Sequence, residues 1–117
     1  MKNYHKTIFF PASVNKLFGK SYFLKYTSHA IDAMVNDRYG TIRPARSVKI
    51  DAGNLVEVTL NDFGNVVKCL VRLAHDAAND VCLVLMPDFE QAIVKTAWLC
   101  RKDDNHATLE AGYYSKE

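Results

Sequence analysis

Residues 47–100 read SVKIDAGNLVEVTLNDFGNVVKCLVRLAHDAANDVCLVLMPDFEQAIVKTAWLC, and this stretch decides the fold. It divides into SVKI, NLVEVTLN, NVVKCLVRLA, DVCLVLMP and QAIVKTAWLC, with DAG, an FG turn after Asn61 and Asp62, HDAAN and PDFE as the breaks. The runs are rich in β-branched residues and each break is short, so neighbouring strands are expected to run antiparallel. Strict alternation sets Val67, Cys69, Val71 and Leu73 on one side of the third run, and Lys68, Leu70 and Arg72 on the other. In the last run Val94, Thr96 and Trp98 share one side and Ile93, Lys95, Ala97 and Leu99 the other. Both sides are mostly apolar, which suits a central strand covered twice.

Upstream of the strands, Thr27 or Ser28 can cap a helix that runs through HAIDAMVNDRY and stops at Gly40. Ala30, Ile31, Met34 and Val35 would be its inward stripe. Residues 1–26 stay open: Pro11, Ala12 and Ser13 can start a short helix through Leu17 and Phe18, while Tyr22, Leu24 and Tyr26 alternate as on a strand. The fold class expected is therefore α+β, with one or two N-terminal helices packed on a four- to five-stranded antiparallel meander. The divisions would be a helix over 27–40, a sheet over 47–100 and a charged tail over 101–117.

A chain of 117 residues, 49% of them hydrophobic, fits a single domain with one core. The formal charge of +2 permits a nucleic-acid partner only where the positive residues cluster. The start, MKNYHKTIFFPAS, has too short an apolar run for a secretory signal or a membrane span, so a cytoplasmic protein without a membrane partner is expected. Cys69, Cys82 and Cys100 stand far apart in apolar runs and without CxxC spacing, which reads as buried free thiols. No HExxH or carboxylate pair suggests a metal, and no cofactor is expected.

Clustering does occur after the helix. Arg38, Arg43, Arg46 and Lys49 form a positive run free of acidic residues, with Tyr39 beside it as a ring for a base to stack on. Lys68 on the third strand run joins these as a candidate RNA contact. His29 and Arg38 are nine residues apart, so an ideal helix would turn them to opposite sides. Arg38 would then point into the apolar stripe, where it must snorkel out or find an acceptor. Arg72 and Thr96, if they project from one sheet face, would offer a guanidinium and a hydroxyl to a phosphate. The tail segment KDDNHATLEAGYY could fold back to bring His106 and Thr108 to the rim.

SHAIDAM followed by Arg38, a curved antiparallel meander, VKTAWL in the final strand and KDDNHATLEAGYY in the tail together resemble a known group. They are similar to small phage and mobile-element proteins of the barnase, EndoU, colicin and RelE superfamily of toxin-like ribonucleases. The resemblance covers residues 28 to about 114. It implies metal-independent endoribonuclease activity on a sheet with N-terminal helices. It also implies site roles for His29, Arg38, Thr96, His106 and Thr108.

Such chemistry is attack of a ribose 2'-hydroxyl on the adjacent phosphate, which needs a base, an acid and positive groups for the phosphorane. His106 would serve as base or acid with His29 as its complement in the other role, Arg38 and Arg72 as phosphate stabilisers, with Thr96 or Thr108 holding an oxygen. His75 in the HDAAN turn reads as a surface histidine. Two rival readings stand beside the enzyme. One is a phage-type protein that binds and inhibits a host protein through an exposed apolar patch, with Phe63, Phe89, Tyr113 and Tyr114 as candidates. The other is a non-catalytic RNA-binding domain. RNA is the expected partner of the first and third readings, and a cognate inhibitor or host target would be a protein partner.

Overall fold

The computed structural model describes residues 2–4, 12–103 and 114–116. Along the chain the elements are β1 (Lys2–Tyr4), α1 (Ala12–Asn15), β2 (Ser21–Tyr26), α2 (Ser28–Val35) and β3 (Ser47–Lys49). There follow β4 (Leu55–Leu60), β5 (Val66–Ala74), β6 (Asn79–Asp88), β7 (Gln91–Arg101) and β8 (Tyr114–Lys116). The short β1 and β8 pair antiparallel with each other, Asn3 opposite Ser115. All the other strands form one sheet in the order β3-β2-β7-β6-β5-β4.

This is an α+β fold, but the sheet is six-stranded and mixed where four or five antiparallel strands were expected. The extra strand is β2, which inserts between β3 and β7. It runs antiparallel to β3 and parallel to β7, with Phe23 opposite Gln91 and Tyr26 opposite Val94. Both alternatives left open for the N-terminal segment occur, α1 and β2 forming one after the other, though α1 ends at Asn15 and does not run through Leu17 and Phe18.

The DAG break is no hairpin. It joins β3 to β4, which are the two outermost strands of the sheet. In a flat sheet with strands about 4.8 Å apart those edges would lie some 24 Å from each other. Residues 50–54 could span roughly 20 Å even fully extended, and they are not extended. Asp51 accepts the Gly53 and Asn54 N–H groups on its carboxylate, while Asn54 accepts the Asp51 N–H and donates to the Lys49 carbonyl. The sheet must therefore curl, and it forms a half-barrel. Ile50 and Leu55, on either side of the connection, are wholly buried.

One sheet face carries the main core. Tyr22, Val48, Leu55, Cys69, Val71, Leu83, Leu85, Val94 and Leu99 meet Val14 and Leu17 from the α1 region and Ala30 and Met34 from α2. Directly paired residues share a face, so the register Arg72–Cys82–Trp98 and Leu70–Val84–Thr96 defines the opposite, outer face. A smaller cluster of Leu70, Cys82 and Cys100 with Val56, Val84 and Trp98 lies there. All three cysteines are free and buried, and burial pushes the Cys69 and Cys82 thiols up to about 12.

Strict alternation fails at three register shifts, one of which leaves Val56 of β4 over between Leu55 and Glu57. In β7, Thr96 pairs with Val84 and Val94 with Leu85, which leaves Lys95 without a residue opposite. Beyond it the facing is reversed: Ala97 and Leu99 join Ala92 and Val94 in the core, and Thr96 and Trp98 turn outward. In β5 the pairs Lys68–Thr59 and Val66–Leu60 leave Val67 over, so Val67 is 39% exposed and not a core residue.

The second helix is also shorter than its expected span of 27–40. Thr27 caps it, its hydroxyl accepting the Ala30 N–H at 3.0 Å, and Asn36 closes it. Ala30 and Met34 are buried, but Ile31 and Val35 are half exposed, because eight residues turn only a narrow stripe to the sheet. Asp37 ends the helix region by accepting the Leu99 N–H on one carboxylate oxygen and the Tyr39 N–H on the other. No helix among the described residues is long and apolar enough to cross a membrane.

Asn54→Ala removes the two bonds that the Asn54 side chain gives to the edge-to-edge connection, and it is expected to cost about 1–2 kcal/mol of stability. Asp62→Ala, in an exposed turn with no side-chain bond at stake, should stay within about 0.5 kcal/mol of the wild type. Urea unfolding of the two variants beside the wild type checks the difference.

Candidate nucleic-acid interface

The bulge in β7 organises the site. Beyond Val94 the strand has no β2 beside it, and α2 continues in that place. The Thr27 N–H donates to the Val94 carbonyl at 3.2 Å, and its hydroxyl reaches the Val94 and Lys95 carbonyls at 3.2 and 3.3 Å. The first turn of the helix is thereby pinned to the bulge. Two residues further on, His29 faces the same opening as Lys95 and Thr96.

That opening, of about 590 Å³, has Val67, Val84 and Met86 as its apolar floor. Lys68, Lys95 and His29 stand around it as cations or potential cations, and Thr59 and Thr96 supply hydroxyls. Among the described residues no carboxylate lines it. An anion entering here meets donors and apolar surface, which suits a phosphate carrying an organic group.

Three of the residues singled out from the sequence, His29, Lys68 and Thr96, thus line one cavity. The others do not join them. Arg72 does lie on the outer face with Thr96, but level with Cys82 and Trp98, and it is held in place. Its Nε donates to Asp80 at 2.9 Å and an Nη to the Arg101 carbonyl at 2.9 Å, while Lys102 binds the other Asp80 oxygen at 2.8 Å. Burial pushes the Asp80 carboxyl up, but the hydrogen bonds and charges of Lys102 and Arg72 outweigh it and hold the group below its ordinary value.

Arg38 leaves the core question behind, because α2 ends at Val35. It is exposed and lies over the Tyr39 ring at 4.7 Å, so its cation and that ring already occupy each other. Arg43 is tied to the β5–β6 turn: its N–H donates to His75 Nε2 at 3.0 Å and its guanidinium to the His75 carbonyl. His75 is accordingly no loose surface group, with a side chain only 8% exposed and Nδ1 at 2.9 Å from Asp76. Arg46 and Lys49 are exposed on and before β3, at the far edge of the sheet, and Tyr39 stays with Arg38. His106 and Thr108 lie outside the described residues.

Lys95 and Thr59 are the contributors that the sequence did not announce. Lys95 sits inside VKTAWL, yet alternation puts it opposite Thr96, and only the bulge lets both serve one opening. Thr59 reaches it through its pairing with Lys68. Among the described residues no cluster of three or more His, Cys, Asp or Glu is arranged to hold a metal ion. No family model, curated protein or solved structure matches this chain.

The clamp on the β5–β6 turn has an acid signature. Hydrogen bonds from His75 first, then from the Ala78 N–H, lower the Asp76 carboxyl from 3.8 to about 2. A lowered carboxyl gives stability that is present above the unfolded value and lost as pH falls through the folded one. Asp76→Asn should therefore flatten the loss of stability between pH 3.8 and about 2, read as urea midpoints against pH.

Proposed function

We propose that this protein binds single-stranded RNA over the outer sheet face and cuts it without a metal, leaving a 2',3'-cyclic phosphate. The observation that carries the reading is the shared opening of His29, Lys68, Lys95 and Thr96, a base-competent imidazole among cations and a hydroxyl. Histidine is the side chain most often used to accept a proton from a reacting group.

In the proposed reaction His29 takes the proton of the ribose 2'-hydroxyl as its oxygen bonds to phosphorus. The bond from phosphorus to the 5'-oxygen breaks, and that oxygen receives a proton from a general acid, the role the sequence offers to His106. Lys68 and Lys95 offset the extra negative charge of the phosphorane, and the Thr96 hydroxyl donates to a non-bridging oxygen. The apolar floor of Val84 and Met86 gives a sugar or base a dry surface to rest on.

A second reading, a protein that binds a host protein, has its own observation. Phe63 and Phe89, two of the aromatic residues expected to be exposed, are 89% and 85% so, and Phe23 is 68%. The two readings diverge in one assay.

End-labelled RNA of mixed sequence is incubated in EDTA with wild type, His29→Ala and His106→Ala. Wild type is expected to yield cyclic-phosphate ends, and loss of either histidine to slow the cut by about 10²–10⁴-fold. Lys68→Ala and Lys95→Ala should each also lessen the slope of log affinity against log salt by about 0.7. Retention of RNA without cleavage by folded wild type would leave an RNA-binding domain. No retention at low salt would turn the reading to a protein partner.

A further inference from the structure

A second cavity, of about 510 Å³, opens on the other side of the same sheet end. Val66 and Pro87 line it, whereas their chain neighbours Val67 and Met86 line the first. We infer that this second cavity seats a nucleobase of the bound strand, with the attached phosphate on Lys16. The inference rests on the RNA reading and adds to it a place where a base is held and distinguished.

Three groups carry it. Phe63 contributes to the lining and is 89% exposed, so an aromatic ring stands ready with both its edge and much of its surface open. Asn65, two residues on, lines the cavity and is exposed, and a carboxamide offers a donor and an acceptor side by side to a base edge. Lys16 adds a cation, and among the described residues no carboxylate lines the space.

The ring does not hang on a loose loop. The Asn61 side chain accepts the Phe63 and Asn65 N–H groups at 2.9 and 3.0 Å, and the Gly64 N–H returns to the Asn61 carbonyl at 2.9 Å. Gly64 takes a φ of 78°, which its lack of a side chain permits. The Ser13 hydroxyl donates to the Gly64 carbonyl, which ties the turn to α1, the helix just ahead of Lys16. A preset turn loses little freedom when a base stacks on its ring.

An exposed aromatic ring, a cation and an amide around an open cavity match the chemistry of unpaired nucleotides, since every base has a face to stack and stacking tolerates sequence. A base inside a duplex cannot reach such a seat. The shared chemistry is a base carrying a phosphate, whether in a free nucleotide or in a strand.

The test measures binding of fluorescent single-stranded RNA hexamers by anisotropy to wild type, Phe63→Ala, Phe63→Trp, Asn65→Ala and Lys68→Glu. Phe63→Ala should weaken binding about tenfold, Phe63→Trp should restore it, and Asn65→Ala should narrow the spread of affinities among hexamers of different base. Amide NMR shifts on adding 5'-AMP, adenosine or inorganic phosphate then report the seat directly, with 5'-AMP expected to move Gly64, Asn65 and Val66 most. If Lys68→Glu loses RNA while Phe63→Ala and Asn65→Ala keep it, the seat is wrong and the RNA reading stands. If wild type binds no hexamer, the RNA reading fails. Shifts at Gly64 and Asn65 with 5'-AMP would then keep a nucleotide seat, and none would overturn it. Equal shifts with inorganic phosphate alone would overturn it as well.

Discussion

Everything in this structure depends on a connection that is too short for a flat sheet. Residues 50–54 tie the first edge of a six-stranded sheet to the last, and the Asp51 and Asn54 side chains fold that link tighter still. Curling is the only way to satisfy it. The curl gives the main core an inside, where Ile50, Leu55, Leu83 and Leu85 are lost to solvent and α1 and α2 have a surface to cover. It also leaves an outside face with room for a smaller apolar cluster and for openings between strands.

A bulge does the finer work. One surplus residue in β7, Lys95, reverses the facing of everything after it, so that Trp98 and Thr96 turn out and Ala97 and Leu99 turn in. Because Thr27 binds the carbonyls at that same point, the start of α2 is fixed where the reversal occurs. Helix, bulge and outer face thus meet at one place, and the candidate RNA site lies there. A continuous strand would have sent Lys95 and Thr96 to opposite sides.

The sequence was most legible where the physics is local. Four strands from Leu55 to Arg101 and their turns follow from apolar runs broken by Asn, Asp and Gly, and burial of the three cysteines follows from the runs that hold them. It was least legible where distant segments decide. Nothing near Tyr22 shows that its strand will lie parallel to β7, and nothing in DAG shows that it joins opposite edges rather than neighbours. Of the candidate residues, His29, Lys68 and Thr96 were read from type and position and share one opening. Arg38, Arg43 and Arg72 were read from charge and placement in the same way, but a ring, a carbonyl and a carboxylate engage them.

The parallel contact of β2 with β7 also bears on how the chain reaches this state. Strands β4 to β7 are successive hairpins that can zip from their turns, each closing a small loop. Thr27 meets Lys95 across 68 residues, and that larger loop must close before its contacts return anything. Chains dominated by such non-local pairings fold slowly for their size. Loop closure therefore favours a hairpin ladder that forms first, with β2 and α2 seating after it. Since the opening with His29 is complete only when α2 is docked, that opening would be the last part of the surface to form.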